Sequence, residues 1–249
     1  MSTMEPRRRR SVVVGGAGGL GAAVARGLAE AGGLVAVLDR DLEGARAVAG
    51  EIDGVAGEID VSDEASVGRA IDEAATRLGG LDALVTTAGV LGERLDLEQT
   101  SLARWQEVIA VNLTGTFLVC RAALGHLRSG DRPSVVTVAS GVALRPLLPT
   151  LTAYAASKGG VVAFSKTLAQ QVGPDGIRVN VVCPGLVETP MAPSRAELGE
   201  ADTGRLEQYA LGRAATAEEI AEVICLVSGP AASYMTGSTV VVDGGRSYW

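Results

Sequence analysis

The sequence is poor in the residues that most often build metal sites and disulfide frameworks. It contains one histidine, His126, and three cysteines, Cys120, Cys183 and Cys225, without metal-ligand spacing. A zinc alcohol dehydrogenase needs a Cys/His ligand set that this chain lacks, so we expect no metal. The odd number of cysteines favours a reducing compartment, and we predict a cytoplasmic protein.

Aromatic side chains and lysines are also scarce. Aromatic residues make up 3% of the 249 residues, whereas glycine occurs 33 times, which is typical of a compact α/β protein of one domain. The formal net charge of −7 argues against nucleic acid as a partner. Because no apolar run approaches the roughly eighteen residues that span a bilayer, we also expect no membrane segment.

Two segments differ in composition from the rest. Four consecutive arginines, Arg7 to Arg10, lead into the first strand. We therefore predict a basic, flexible leader over residues 1–10 and a single catalytic domain over residues 11–249. The stretch 190–215 is rich in charged and small residues and is predicted to form a lid over a pocket.

Short β-branched runs alternate with helical stripes along the chain. The alternation predicts an α/β fold, a Rossmann-like, doubly wound parallel sheet with helices on both faces. Seven strands are expected, near residues 11–14, 34–38, 55–59, 81–86, 134–139, 177–183 and 238–243.

A glycine-rich turn follows the first strand and opens a helix. Glycines permit the tight turn and the approach of a pyrophosphate, and the helix N-terminus supplies free N–H groups. A purely structural turn is the alternative. The predicted cofactor contacts in this turn are Gly15, Gly18, Gly19, Leu20 and Gly21.

Asp39 closes the second strand and bears on the choice of cofactor. A carboxylate at this place accepts hydrogen bonds from a ribose 2′-hydroxyl and repels a 2′-phosphate, which favours NAD over NADP. The neighbouring Arg40 could accommodate a phosphate, so NADP stays open. Asp39 could instead only cap the helix that begins near Leu42.

The carboxyl ends of later strands carry further candidates, since ligands of doubly wound sheets bind outside these ends. The carboxylate after the third strand, Asp60, could contact the adenine or could only stabilise the turn in which it lies. After the fourth, small residues would admit a cofactor ring. The residues at these ends are Asp60, Val61, Thr87, Ala88, Gly89 and, after the fifth strand, Ser140.

Tyr154 and Lys158 stand four residues apart in a predicted helix, so they share one face. An ammonium beside a phenol lowers the pKa of the phenol. Bringing the tyrosine pKa from roughly 10 to neutrality would need roughly 4 kcal/mol of positive field. A surface pair at helical spacing is the alternative.

Asn112 lies in the middle of another predicted helix, where asparagine is a poor helix former. A polar residue in this unfavourable place indicates a role in orienting water or backbone. A solvent-facing asparagine is the competing interpretation.

Together these motifs resemble the short-chain dehydrogenase/reductase family, classical type, over almost the whole chain. The family's Thr-Gly-x-x-x-Gly-x-Gly corresponds to Val14–Gly21, with valine in place of threonine. Its Asn-Asn-Ala-Gly appears as Thr86–Gly89, so both asparagines are missing. Its Tyr-x-x-x-Lys is the pair Tyr154 and Lys158.

Further family motifs follow in the expected order. The helix asparagine matches Asn112, and the strand-end serine matches Ser140, fourteen residues before Tyr154 and one more than is common. The family's Pro-Gly-x-x-x-Thr matches Pro184–Thr189, and the segment from Tyr234 to Gly245 is also typical.

The resemblance implies an NAD-dependent oxidoreductase that exchanges a hydride between a nicotinamide cofactor and a secondary alcohol or ketone. Tyr154 would be the acid/base, and Lys158 would lower its pKa and bind the ribose. Ser140 would donate a hydrogen bond to the substrate oxygen, and Asn112 would hold a water that connects Lys158 to solvent.

The resemblance also implies contacts to the carboxamide and an assembly. A homotetramer is expected, with the helices of Trp105 and Tyr154 at an interface. The alternatives are an NADPH-dependent 3-oxoacyl carrier-protein ketoreductase and a silent dinucleotide-binding regulator. The carboxamide-side contacts would be Pro184, Gly185, Val187 and Thr189.

Overall fold

A computed structural model describes residues 8–146, 149–189 and 206–247 of the chain. Its seven strands form one parallel sheet in the order β3-β2-β1-β4-β5-β6-β7, which confirms the predicted Rossmann-like fold. The strands are β1 (Arg10–Val14), β2 (Leu34–Asp39), β3 (Val55–Glu58), β4 (Ala83–Thr86), β5 (Ser134–Val138), β6 (Arg178–Pro184) and β7 (Thr239–Val242). The described helices are α1 (Gly19–Glu30), α2 (Leu42–Glu51), α3 (Glu64–Leu78), α4 (Leu102–Ile109), α5 (Gly115–Leu127), α6 (Thr152–Val172) and α7 (Ala217–Ser228).

Each face of the sheet carries its own hydrophobic core. On β1, Val12 and Val14 point into the layer formed with α3, α5 and α6, whereas Val13 points into the layer formed with α1, α2 and α7. All three side chains are fully buried. This alternation arises because successive side chains of a strand point to opposite faces, and both faces here are covered by helices.

Short polar side chains fix where the helices begin. The Asp41 side chain accepts a hydrogen bond from Gly44 N at the start of α2, and Thr216 and Glu219 form a capping box at the start of α7. At α3 the N-cap is Asp63. The preceding residue, Ser62, donates to Asp60 through both its backbone N–H and its hydroxyl.

The predicted leader boundary at residue 10 is wrong. Arg10 is the first residue of β1, is 6% exposed and pairs with Asp82 at 2.6 Å. Arg9 donates hydrogen bonds to the carbonyl oxygen of Ser228 and to the Ser134 hydroxyl. These arginines satisfy acceptors at the amino edge of the sheet, so they belong to the domain. Residues 1–7 lie outside the described part of the chain.

One helical stretch, Leu102–Leu127, is long and apolar enough by length and composition to cross a membrane, with a mean hydropathy of 1.6. This corrects the expectation that no segment approaches that length. In the fold its three parts, α4, a π-helical turn at Ala110–Thr114 and α5, pack on α3 and α6. A buried core helix passes the same test of length and composition.

The predicted lid, 190–215, is described only in part. Residues 190–205 lie outside the described ranges. Leu206 and Tyr209 are buried, and Ala215 forms a parallel bridge with Val187. The described end of this segment is therefore packed against the loop that follows β6.

Candidate active site

A cleft of about 520 Å³ opens at the carboxyl ends of the strands. It lies where the strand order reverses between β1 and β4, the position at which doubly wound sheets bind ligands. Loops after β1, β2, β4, β5 and β6 contribute to its walls.

The glycine turn after β1 brings the backbone close to the floor of this cleft. Gly15 has a φ of +86°, and a Cβ there would lie 2.5 Å from the backbone nitrogen of Ala88. A Cβ on Gly21 would overlap the Gly15 carbonyl oxygen. Gly18, the N-cap of α1, makes no side-chain cap, and the first turn has no acidic residue. The first N–H groups of α1 therefore remain available to an anion.

Asp39 interacts with the glycine turn and does not cap α2. Its Oδ2 accepts from Ala17 N at 3.0 Å, and its Oδ1 accepts from Asp41 N at 3.0 Å. Because Asp41 is the N-cap, the capping alternative for Asp39 is wrong. The carboxylate lies beside the glycine turn, at the edge of the cleft.

Asp60 and Arg40 stand at the same end of the cleft. Hydrogen bonds from the Ser62 hydroxyl and backbone lower the pKa of Asp60, and the charge of Arg40 lowers it further. Two carboxylates, Asp39 and Asp60, thus face one guanidinium there. The next residue, Val61, is buried and forms part of the wall of the cleft.

The threonine that replaces a family asparagine after β4 holds the two central loops together. Thr87 Oγ1 lies 2.9 Å from the carbonyl oxygen of Val14 and 3.0 Å from that of Gly15. The backbone nitrogen of Ala88 also donates to Val14, at 3.1 Å. Thr87 therefore fixes the β4 loop against the glycine turn.

Ser140, Tyr154 and Lys158 meet on the opposite wall. Ser140 begins a 3-10 turn after β5, and its hydroxyl lies near the Tyr154 phenol and lowers the pKa of that phenol. Lys158, one helical turn after Tyr154 on α6, is 4% exposed. Its Nζ donates to the carbonyl oxygen of Val138 at 2.9 Å and lies 5.8 Å from the centroid of the tyrosine ring. The predicted triad is thus brought together.

The pKa values in this group follow burial more than the pairing of charges. Burial raises the pKa of Tyr154, and the hydrogen bond with Ser140 partly opposes that rise. Burial lowers the pKa of Lys158 to about 8, although the neighbouring Cys183 acts in the opposite direction. The sequence argument considered only the nearby cation and expected a lowered tyrosine pKa.

Asn112 is fully buried in the π-helical turn, so the solvent-facing interpretation is wrong. Its Oδ1 accepts from Val90 N at 2.8 Å. Its Nδ2 donates to Val90 O at 2.9 Å and to the Ser157 hydroxyl at 3.0 Å. The side chain ties the loop after β4 to α6, directly beneath the Lys158 ammonium, and does not line the cleft.

Nearly all of the predicted site residues line this one cleft, Asn112 being the exception. Two cleft-lining residues that the sequence did not single out are Arg246, after β7, and Leu186. No local signal marks Arg246, because only the fold returns the C-terminal turn to the cleft. The predicted residues that line the cleft are Gly15, Gly18, Gly19, Leu20, Gly21, Asp39, Arg40, Asp60, Val61, Thr87, Ala88, Gly89, Ser140, Tyr154, Lys158, Pro184, Gly185, Val187 and Thr189.

Apolar side chains line part of the cleft. Leu91 and Leu151 line the cleft, whereas Leu144 is 43% exposed and does not. Leu147, Leu148, Met191 and Arg195 lie outside the described residues. His126 contacts Asp72 at 2.7 Å on the surface, away from the cleft.

The described residues fit a dinucleotide. The uncapped N-terminus of α1 and the close backbone approach at Gly15 suit a pyrophosphate, and the carboxylate of Asp39 suits a ribose. Within the described ranges no group of three His, Cys, Asp or Glu side chains is arranged to hold a metal ion.

Residues 15–247 match the family model described as enoyl-(acyl carrier protein) reductase. The chain is 39% identical to the inactive 2-(S)-hydroxypropyl-CoM dehydrogenase 2 of Xanthobacter autotrophicus, over 90% of this chain and 99% of that protein.

Two solved structures are similar throughout. One is a short chain dehydrogenase from Burkholderia cenocepacia J2315 in complex with NADP, with a TM-score of 0.89, 32% identity and coverage of 96% of this chain and 97% of that chain. The other is a 3-ketoacyl-(acyl-carrier-protein) reductase from Brucella melitensis complexed with NADH, with a TM-score of 0.89, 32% identity and coverage of 96% and 98%.

These similarities span the cleft and every motif that forms it. Relatives of this fold bind NADP or NADH. The chain belongs to the short-chain dehydrogenase/reductase family of NAD(P)-dependent alcohol and ketone oxidoreductases.

Proposed function

We propose that this protein is an NAD-dependent oxidoreductase acting on a secondary alcohol or its ketone. The observation that supports this most directly is the meeting of Ser140, Tyr154 and Lys158 on one wall of a dinucleotide-sized cleft. The nicotinamide cofactor, when bound, accepts or supplies the hydride.

The protein's own residues move the proton and orient the substrate. The Tyr154 phenol donates its proton to the ketone oxygen in reduction, and its phenolate accepts the hydroxyl proton in oxidation. The Ser140 hydroxyl, which already contacts that phenol, donates a hydrogen bond to the same oxygen as negative charge develops on it. The buried Lys158 ammonium supplies positive charge next to the ring and binds the ribose hydroxyls.

Asn112 acts as a positioning residue in this proposal. Its side-chain amide is engaged by Val90 and Ser157, so the proposed water that connects Lys158 to solvent would be held through its backbone carbonyl. That carbonyl accepts a hydrogen bond from the Thr116 hydroxyl at 2.7 Å, and a carbonyl oxygen has two lone pairs.

Replacement of the acid/base tests the proposal. Tyr154→Phe is expected to bind NADH with an unchanged Kd but to lose at least about 10²-fold in kcat, the usual contribution of a general acid/base. Tyr234→Phe is the matched control, because Tyr234 is fully exposed. Because the Tyr154 phenol holds its proton, wild-type oxidation should speed up with rising pH. Full turnover by Tyr154→Phe would refute the mechanism.

The proposed preference for NAD rests on the charges at the ribose end of the cleft. Asp39 and Asp60 line that end with one guanidinium, Arg40, whose charge also acts on Asp60. A 2′-phosphate would therefore meet a net negative field. We expect kcat/KM for NADH to exceed that for NADPH. In Asp39→Ala, the ratio of kcat/KM for NADH to kcat/KM for NADPH should fall about tenfold or more. A preference for NADPH in the wild type would overturn this assignment.

A ketoreductase acting on 3-oxoacyl thioesters is the second candidate. The Brucella melitensis neighbour, named a 3-ketoacyl-(acyl-carrier-protein) reductase, favours it. It predicts turnover of acetoacetyl-thioesters with NADPH in preference to simple ketones with NADH. One relative is named an inactive dehydrogenase, which supports a third candidate function, a dinucleotide-binding regulator without catalytic activity. NADH binding without turnover of any alcohol or ketone would favour that third function.

We also propose a cytoplasmic homotetramer, with α5 and α6 at one interface. Phe117 on α5 is 40% exposed and packs edge-on against Phe164 of α6, which leaves an apolar surface across both helices. All three cysteines are free, as a reducing compartment requires. Light scattering would report the subunit number, and Phe117→Glu should lower it. A monomeric wild type would contradict the assembly.

A further inference from the structure

Arg246 is a buried cation that the proposed chemistry does not use. It follows β7 in the C-terminal turn, is 2% exposed and lines the same cleft as Ser140 and Tyr154. Burying a guanidinium is costly unless its donors and its charge are satisfied. Burial lowers its pKa, yet an arginine stays charged at neutral pH.

The described residues satisfy this guanidinium only in part. Nη2 donates to the carbonyl oxygen of Arg145 at 2.9 Å, and the guanidinium carbon lies 5.9 Å from the ring centroid of Tyr209. Nε is buried and has no hydrogen-bond partner. No carboxylate of the described chain forms an ion pair with Arg246. Nη1 approaches the backbone at Gly141, the residue after Ser140, where a Cβ would lie 3.4 Å away.

The nearest carboxylate is engaged elsewhere. Asp243 Oδ1 accepts from the backbone nitrogens of Gly245 and Arg246, and its Oδ2 accepts from that of Ser247. The field of Asp243 reaches the guanidinium, but the positive charge of Arg145 opposes it. The local balance beside Ser140 is therefore positive.

Charge is distributed unevenly along the cleft. Among the described lining residues, the carboxylates are Asp39 and Asp60, both at the end assigned to the ribose. Arg246 lies at the other end, next to Gly141, and Lys158 is a second cation on that wall. An anion at this end would meet donors without meeting a competing carboxylate.

We propose that Arg246 binds a carboxylate of the substrate, so that the enzyme acts on hydroxy acids and oxo acids. This inference rests on the proposed redox function. The Nη1 group, which lies next to Gly141, would donate a charge-assisted hydrogen bond to the carboxylate. The approach of Nη1 to Gly141 places that group close to the carbonyl carbon that Ser140 and Tyr154 would contact.

A comparison of acids with their uncharged esters tests the proposal. The wild type, Arg246→Gln, Arg246→Lys and the control Arg69→Gln, an exposed residue of α3, would be assayed on 2-, 3- and 4-hydroxypentanoate and on the methyl esters. We expect the wild type to prefer at least one acid over its ester by tenfold or more in kcat/KM. Arg246→Gln should lose about 10- to 100-fold on that acid and less than twofold on the ester. The kcat/KM of Arg246→Lys on that acid should lie between the values of the wild type and of Arg246→Gln.

Binding without turnover separates this proposal from the redox function. Calorimetry with hexanoate and with hexanol, on the NADH-loaded enzyme, should detect hexanoate binding that Arg246→Gln loses and Arg69→Gln keeps. If no alcohol is oxidised but hexanoate binding depends on Arg246, the redox function fails and the anion site stands. The anion site is overturned if hexanoate does not bind, or if it binds equally to the wild type and Arg246→Gln. It is also overturned if the wild type has the same kcat/KM for the esters as for the acids. If Arg246→Gln does not fold, the same criteria apply to Arg246→Lys.

Discussion

Removal of the Asn112 side chain should destabilise the protein and loosen the floor of the cleft at once. In Asn112→Ala, the Val90 N–H and C=O lose the partners that they have at 2.8 and 2.9 Å. Ser157 keeps a bond, because its hydroxyl also donates to the carbonyl oxygen of Tyr154. Two backbone groups are thus left without partners in a partly buried loop.

The magnitude follows from those two groups. Each buried polar group that loses its partner costs about 1 to 3 kcal/mol, so we expect the free energy of unfolding to fall by about 2 to 6 kcal/mol. The effect should also reach the cofactor. A Cβ built on Gly89 would lie 3.2 Å from Asn112 Oδ1 and 3.3 Å from Lys158 Nζ, so the loop, the amide and the ammonium pack as one unit.

Urea titration at fixed protein concentration, followed by tryptophan fluorescence, measures the stability, and NADH titration measures the Kd. Thr116→Val is the matched control. It removes one hydrogen bond to the Asn112 carbonyl, preserves the side-chain shape and should cost only about 1 kcal/mol. A stability loss below about 1 kcal/mol in Asn112→Ala, with an unchanged NADH Kd, would refute the positioning role.

Three further predictions concern charge and backbone. Burial opposes ionisation of Asp82, but hydrogen bonds from Arg10 and from the Asp131 backbone outweigh it and lower the pKa from 3.8 to about 2. Ionised Asp82 therefore stabilises the fold by about 2 to 3 kcal/mol above pH 4, and this stabilisation is lost as the pH falls through 2. In Asp82→Asn, the free energy of unfolding should depend less on pH between pH 2 and 4. An unchanged pH dependence in this range would contradict the assignment. Gly21→Ala should weaken NADH binding at least tenfold, because its Cβ meets the Gly15 carbonyl, whereas Gly50→Ala, with open space around it, should not; equal binding by both would contradict this. In protein labelled with ¹³C-lysine, Lys158 should titrate near pH 8, with Lys166→Arg assigning the two signals, and a midpoint above 10 would show that burial has been misjudged.

The fold and most of the site could be predicted because they depend on local patterns. Strand and helix alternate along the chain, and each strand end brings its following residues to one edge, as Gly15, Ser140 and Pro184 illustrate. The four-residue spacing of Tyr154 and Lys158 was enough to place them on one face of α6.

The remaining features depend on contacts between residues far apart in the sequence. In the sequence, Arg10 is indistinguishable from the rest of a basic tail. Only the pairing of β1 with β4 places Asp82 beside it. Asn112 reads as a poor helix former until Val90 supplies the partners for its amide. Arg246 has no local pattern at all, because its importance comes from the return of the C-terminal turn to the cleft.

The pKa values of Tyr154 and Lys158 show how burial changes the argument made from spacing alone. Proximity of a cation stabilises the phenolate, but burial destabilises both charged groups, and here burial is the larger effect on each. Tyr154 therefore holds its proton at neutral pH, and a phenol that holds its proton next to the Ser140 hydroxyl is arranged as a proton donor. In the proposed acid/base role, Tyr154 would therefore donate its proton to a ketone directly, whereas alcohol oxidation would require Tyr154 to lose its proton first. This requirement is the reason for the expected rise of the oxidation rate with pH.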